Sequence, residues 1–214
     1  MRTTIVAAFL IALIQIQAFA GPVVYYSFNG SNTTADVGSS ISAFSRQNSD
    51  GSALSFPDGT TQNAQPGYLA GVAVSQSHWL GNTNFFQFTM DAAFLQDIVV
   101  SYAWQRSSSG PTNAIFQYSS TGIGGLFVDF ATNGLPTSFT GAGGVVTQDL
   151  SAVSALDGDS TIAFRILGIN VGGATGAMRL DNFTIDAIAV PESSTVVLAT
   201  LGLIALIGAR LRRR

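Results

Sequence analysis

Apolar and polar residues alternate along much of this chain, and this period of two is the feature that most limits its fold. The alternation is clearest at residues 86–90, 98–104 and 162–166. The apolar positions of these segments are Phe86, Phe88 and Met90; Ile98, Val100, Tyr102 and Trp104; and Ile162, Phe164 and Ile166. Because Gln87, Thr89 and Arg165 occupy the opposite phase, each segment predicts a half-buried strand.

Further short strands are predicted before, between and after these three, separated by turns rich in glycine, asparagine, serine and proline. They fall at residues 23–28, 68–74, 114–118, 125–130, 145–150 and 178–188. The sequence before residue 196 has no long period of 3.6, so little helix is expected. Nine or more strands within residues 21–190 predict an all-β domain, an antiparallel two-sheet β-sandwich, and favour a jelly roll within that class.

The composition of this segment limits its chemistry. The chain contains no cysteine and no lysine, His78 is its one histidine, and its one glutamate, Glu192, lies outside the segment. Thiolate nucleophiles, disulfides and Schiff-base lysines are therefore excluded, and a glycosidase pair would need two aspartates. Four arginines against eleven aspartates between residues 21 and 190 argue against a nucleic-acid partner. We expect a domain that is not an enzyme.

The first twenty residues have the pattern of a secretory signal peptide. Arg2 precedes ten apolar residues, Ile5 to Ile14, and the segment closes on Ala18-Phe19-Ala20. The small side chains of Ala18 and Ala20 predict cleavage after Ala20, so that the mature protein starts at Gly21. An uncleaved N-terminal anchor is the alternative.

The last residues predict a transmembrane helix with a basic end. Sixteen uncharged residues, 194–209, precede the four arginines Arg210, Arg212, Arg213 and Arg214. At 1.5 Å per residue the apolar stretch spans about 24 Å, slightly less than a ~30 Å bilayer core, which favours a temporary anchor. The arginines are expected to stay cytoplasmic, which places residues 21–190 across the inner membrane. A helix lying along the membrane is disfavoured because this stretch has no polar face.

Val190-Pro191-Glu192-Ser193, followed by the apolar helix and the arginines, resembles the PEP-CTERM sorting signal of Gram-negative bacteria. Residues 191–214 would form this signal, although Ser193 stands where the family usually has a second proline. The resemblance implies recognition by exosortase, cleavage near the motif, and release or attachment at the cell surface or in an extracellular matrix. Pro191 keeps the segment extended, as proteolysis requires.

The segment 21–190 also resembles the jelly-roll ectodomains common among PEP-CTERM proteins. The resemblance rests on the sequence VYYSFNG at residues 24–30, on Arg106-Ser107 and Gly110-Pro111, and on RLDNF at residues 179–183. It implies a concanavalin-like or carbohydrate-binding-module-like sandwich whose first and last strands pair. It does not supply a ligand.

The alternation slips in phase near Asp181 and Asn182, which predicts a β-bulge. A bulge re-aims side chains, so Asp181 is a candidate ligand for calcium together with backbone carbonyls of the N-terminal strand, as in related carbohydrate-binding sandwiches. The alternatives are that a buried Asp181 pairs with Arg106 or Arg179, or that it is hydrogen-bonded to a turn. Apart from calcium, no cofactor is expected.

Aromatic rings are the natural platforms for sugars, because they stack on the C–H face of a pyranose. Trp104 continues an apolar phase and is expected in the core, whereas Trp79 lies in a polar stretch and is the candidate for an exposed glycan contact. His78 has no evident catalytic partner beside it. Three readings remain: a module that binds extracellular polysaccharide, a structural protein of the exopolysaccharide matrix, and, disfavoured, an aspartate-dependent glycoside hydrolase. The sequence does not separate the first two.

Overall fold

The computed structural model describes residues 21–79, 82–173, 175–190 and Arg210, and most of its regular structure is β-strand. The described strands are β1 Val24–Tyr26, β2 Ser42–Gln47, β3 Val74–Gln76, β4 Phe85–Met90, β5 Leu95–Arg106, β6 Pro111–Ser119, β7 Val128–Gly134, β8 Val145–Asp149, β9 Ile162–Val171 and β10 Met178–Ala189. One short 3-10 helix, Ser154–Leu156, is the longest helical segment among these residues. The all-β prediction is confirmed.

The strands form two antiparallel sheets. Sheet I has the order β1-β10-β5-β8, with β3 also paired to β10, and sheet II has the order β2-β4-β9-β6-β7. From β1 to β6 each successive strand crosses to the other sheet, which is how a jelly roll is connected. The first and last strands pair as expected, with Val24 opposite Ile185. The predicted sandwich is therefore confirmed.

Two strand predictions need correction, and one strand was missed. The segment 68–74 is mostly loop, because its strand starts only at Val74, and the strand predicted at 125–130 runs from Val128 to Gly134. Strand β2 was not predicted at all. β2 is an edge strand that exposes every second residue, and Phe44 is the single large apolar side chain of its sequence, SAFSRQ. One apolar residue gives no detectable period.

Aromatic side chains fill the space between the sheets. The rings of Phe88 from sheet II and Phe183 from sheet I stack with centroids 3.5 Å apart, and the ring of Tyr102 stacks on Phe183 at 6.0 Å. All three residues are buried. In a chain without cysteine, packing of this kind holds the two layers together.

The two terminal segments lie outside the described residues. This applies to the signal peptide 1–20, with its cleavage residues Ala18 and Ala20, and to the sorting signal 191–214 apart from Arg210. Gly21 and Val190 are the outermost described residues of the domain, and the N–H of Val190 donates to the carbonyl of Phe94 at 2.8 Å. None of the helical residues described here forms a span long and apolar enough to cross a membrane.

Candidate functional site

The outward face of sheet II carries an organised set of polar side chains. In β4 the residues Phe86, Phe88 and Met90 face the core, so Gln87 and Thr89 must face outward. The same alternation turns Arg165 of β9 outward. Register then decides which outward residues become neighbours across the sheet.

Five outward residues, one from each strand, lie in a single register line, and we call them the polar row. In order across the sheet they are Ser45, Gln87, Arg165, Gln117 and Asp129. Gln87 Nε2 donates to Ser45 Oγ at 2.9 Å, and Arg165 Nε donates to Gln87 Oε1 at 2.6 Å. At the other end, Gln117 Nε2 donates to Asp129 Oδ1 at 2.7 Å. These bonds fix the side chains of the row in place.

Arg165, at the centre of the polar row, is held between two aromatic rings. Its guanidinium carbon lies 4.1 Å from the ring centroid of Phe85 and 3.6 Å from that of Phe127, which the β6–β7 loop brings over the sheet. Burial lowers the pKa of the guanidinium, although the group remains protonated at neutral pH. Among the described residues no carboxylate forms an ion pair with it.

Two further register lines flank the polar row. On one side lie the apolar residues Phe85, Leu167 and Ile115, which we call the apolar row. On the other side Ala43, Thr89 and Ala163 form a line of small residues. This line leads at the β2 edge into an open groove of about 300 Å³ that is also bordered by Ser40, Asp91 and Ser160.

The expectation that Trp79 is exposed is wrong. The indole is 0% exposed, packs at 5.7 Å on the ring of Phe86, and donates its Nε1–H to the carbonyl of Gln76 at 2.7 Å. Gly168 of β9 makes room for it, since a Cβ there would lie 2.6 Å from the indole. Trp79 therefore presents no ring face to a glycan in this structure.

Asp181 lies in the predicted β-bulge and bonds to a turn. Register with β5 shifts between Asp181 and Thr184, and Asn182 has a positive φ of 49°. Asp181 is 1% exposed; its Oδ2 accepts the N–H of Thr60 at 2.7 Å and its Oδ1 accepts the N–H of Asn182 at 2.8 Å. Of the alternatives, the hydrogen bond to a turn is the one observed. Neither Arg106 nor Arg179 pairs with Asp181 in the described part of the chain.

Calcium does not fit the surroundings of Asp181. Both carboxylate oxygens already face N–H donors, whereas calcium needs six to eight oxygen ligands directed at one point. The backbone group that bonds to Oδ2 is the N–H of Thr60, a donor, whereas a calcium ligand would have to be a carbonyl oxygen. The described residues also contain no group of three or more histidines, aspartates or glutamates close enough to share a metal.

The β-bulge at Asp181 and Asn182 instead fixes the loop between β2 and β3 against β10. Asn182 Nδ2 donates to the carbonyls of Thr60 and Gln62 at 2.8 and 2.9 Å, and its Oδ1 accepts the hydroxyl of Tyr25 at 2.6 Å. Burial is the main cause that raises the pKa of the Asp181 carboxyl from 3.8 to about 7, against the opposing effect of its two N–H bonds. Asp181 and Asn182 therefore have a structural role, because they attach the 59–65 loop to β10.

His78 has a local structural contact. Its Nδ1 lies 3.3 Å from Asp50 Oδ2 and 3.1 Å from Ser77 Oγ, and the imidazole is largely exposed. Asp50 is the only carboxylate that forms an ion pair with it among the described residues. Because Ser77 and Asp50 both contact Nδ1, they are not arranged as in a hydrolase triad, in which the serine bonds to Nε2 and the carboxylate to Nδ1.

Sequence reasoning did not identify the polar row. Within single strands, the sequence showed only that Gln87 of β4 and Arg165 of β9 lie in the polar phase of the alternation. Nothing in one strand indicates which residue of another strand will stand beside it, however. The row can be recognised only once the four registers between the five strands are known.

Comparisons with known proteins relate this chain to other sandwiches at low identity. No family model and no curated protein matches it. Among solved structures, the CBM22-1 xylan-binding domain from Paenibacillus barcinonensis is 13% identical, with 82% of this chain and 100% of that chain covered and a TM-score of 0.47. The family 11 carbohydrate-binding module from Clostridium thermocellum, in complex with a mixed-linked tetrasaccharide, is 14% identical, with 82% and 99% covered and a TM-score of 0.44. A cleaved adhesin domain (K1) of Lys-gingipain from Porphyromonas gingivalis is 17% identical, with 76% and 96% covered and a TM-score of 0.43.

Proposed function

We propose that residues 21–190 form a non-catalytic glycan-binding module whose binding surface is the outward face of sheet II. The observation that carries the proposal is the polar row beside the apolar row. A sugar chain has C–H patches and hydroxyl edges, so it binds where apolar side chains adjoin fixed polar groups.

The dimensions of this face suit a chain better than a single sugar. Neighbouring strands are about 4.8 Å apart, so the five-stranded polar row extends roughly 19 Å across the sheet. The amide group of Gln117 can donate to and accept from hydroxyls, while Gln87, which is 5% exposed, holds Ser45 and Arg165 in position. The hydrogen bonds of both glutamines within the row hold them in one rotamer, which lowers the entropy lost on binding.

The proposal includes an exported location. Residues 1–20 would be removed after Ala20, and the motif Val190-Pro191-Glu192-Ser193 would direct exosortase to the tail. Arg210, Arg212, Arg213 and Arg214 would hold the precursor in the inner membrane until cleavage. The mature domain would then act at the surface or in the extracellular polysaccharide of a Gram-negative bacterium.

The export proposal is tested by mass spectrometry of the protein recovered from the surface fraction of a host that contains exosortase. The expected species starts at Gly21 and lacks the arginine tail. Intact Arg212 to Arg214 on most molecules would contradict the proposed processing.

A second candidate function is a structural role in the matrix without glycan binding. It is favoured by the β7 edge of sheet II, where large apolar side chains reach solvent. Leu126 is 84% exposed and Ile123 58%, and Val128 and Phe130 are also exposed. Contiguous exposed apolar groups are typical of interaction surfaces.

Binding to a panel of extracellular and insoluble polysaccharides separates the two candidates. We expect the full chain to be retained by at least one polysaccharide, with retention weakened by Gln87→Ala and by Gln117→Ala. Gln96→Ala on β5 of sheet I is the matched control and should bind like the parent. Failure to bind any polysaccharide, with the fold intact, would favour the structural role.

A further inference from the structure

Arg165 is the one positive charge that the described strands place on the proposed binding face. Of the other arginines in the described strands, Arg46 points to the opposite side of β2, where its Nη1 reaches Gln76 Oε1 at 3.5 Å. Arg106 donates to the carbonyls of Leu135, Ser107 and Ser108. Arg179 belongs to β10 in sheet I. The charge on this face therefore comes from Arg165 alone.

The guanidinium of Arg165 is fixed but incompletely paired. Nε donates to Gln87, while the two terminal amino groups have no protein partner within the described structure. The rings of Phe85 and Phe127 pack against the guanidinium, with centroids 4.1 and 3.6 Å from its carbon, so the unpaired terminal amino groups are the part that can still donate to a ligand. The edge of a guanidinium is the side that binds a carboxylate through two parallel hydrogen bonds.

A half-buried positive charge without an anion is an unfavourable arrangement for a fold alone. Burial penalises the charge, and the cation–π contacts and one amide oxygen compensate for it only in part. An external anion would complete the set of partners. The row thus has the features of a preformed receptor for one negative charge.

We propose that Arg165 binds the carboxylate of an acidic sugar, so that the ligand is a glycan with carboxylated units. This inference rests on the proposed glycan-binding function and specifies its substrate class. The flanking amide of Gln117 then takes hydroxyls of the same or the adjoining sugar, Gln87 keeps Arg165 in position, and the apolar row takes the C–H face of the sugar.

The charge balance of the domain argues for sparse rather than dense carboxylation. Residues 21–190 contain eleven aspartates and four arginines, so a polyanion would be repelled at long range. Asp129 lies two strands from Arg165 in the same row, about 10 Å away, and would oppose a second carboxylate there. A mostly neutral chain with occasional uronate units satisfies both constraints.

The test compares glucuronoxylan with the same glucuronoxylan after chemical reduction of its carboxyl groups, using the full chain. The acidic form should bind about tenfold more tightly, the value of one charge-assisted contact. Arg165→Gln should bring the two affinities together, while Arg179→Gln on sheet I should keep the difference. Polygalacturonate, a dense polyanion, should bind more weakly than glucuronoxylan.

Salt provides a test that needs no variant. Raising sodium chloride from about 0.03 M to about 0.3 M should weaken binding of the acidic form severalfold and leave the reduced form nearly unchanged. Equal affinity for both forms would overturn the carboxylate assignment while the glycan-binding proposal stands. Loss of both forms in Arg165→Gln would reduce Arg165 to a structural role, and no binding of any polysaccharide by the parent would end both proposals.

Discussion

Asp181 should make this domain less stable as pH rises from about 4 to about 7. Its pKa is 3.8 in an unfolded chain and about 7 in the fold, because burial penalises the charged form. Between these two values the folded state holds a proton that the unfolded state has lost. Stability is therefore fully present below the lower pKa and declines through the window up to the upper one.

The size of the effect follows from the two pKa values. Each unit of difference corresponds to about 1.4 kcal/mol, so a difference of about three units amounts to roughly 4 kcal/mol in the free energy of unfolding. Asp186, whose pKa burial also raises, adds to the decline in the same sense. Asp50 and Asp149 have lowered pKa values and titrate below this window.

Asp181→Asn separates the ionisation from the hydrogen bonds. The amide cannot ionise, so the decline between pH 4 and pH 7 should shrink to the part contributed by Asp186. One of the two N–H donors, from Thr60 or Asn182, would face the new amide nitrogen, at a cost of about 1–3 kcal/mol. The substitution should therefore be clearly destabilising at pH 4 and close to neutral or stabilising at pH 8.

Urea unfolding followed by tryptophan fluorescence, at intervals from pH 4 to pH 8, measures both curves. Asp186→Asn is the matched control and should retain most of the parental decline. A parental stability that rises over this range would refute the reasoning, as would an Asp181→Asn curve parallel to the parental one.

Three further predictions concern packing and metal binding. Gly168→Ala should cost about 1–3 kcal/mol in urea unfolding, since its Cβ would lie 2.6 Å from the Trp79 indole, whereas Gly134→Ala, with open space around it, should cost less than about 0.5 kcal/mol. A similar loss at both glycines would contradict this account of Trp79. Phe183→Ala should cost about 3–5 kcal/mol because it removes the ring stacked between Phe88 and Tyr102, and Phe94→Ala, at an exposed site, should be nearly neutral. The melting temperature should be the same in EDTA and in excess calcium, because N–H donors occupy both oxygens of Asp181; a calcium-dependent rise that Asp181→Asn abolishes would show the opposite.

The sequence predicted those parts of the fold whose hydrophobic pattern lies within a single strand. Strands β4, β5 and β9 bury one phase over most of their length, so their period is visible, and the slip at Asp181 is a local break in such a period. The burial of Trp79 depends on Gly168, which is far away in the sequence, and local polarity pointed to the opposite result. The partner of Asp181 in the 59–65 loop was likewise not identifiable.

The polar row shows the same limit for function. Its central contact, between Gln87 and Arg165, joins residues whose separation in sequence is 78. Trp79 was the expected sugar platform, yet it is buried like Trp104, whose place in the core was predicted. In a thin sandwich without disulfides the large rings are needed between the sheets. The candidate binding groups are therefore the polar side chains on the outward faces of the strands.

The position of β10 has a mechanical consequence. This strand is twelve residues long and lies inside sheet I, with β1 and β3 on one side and β5 on the other. A pulling force applied beyond Ala189 would therefore act on two hydrogen-bonded ladders at once, in shear along the strand. If the domain were attached through that end and its sheet II bound a moving polymer, β10 would be harder to pull out of the fold than an edge strand.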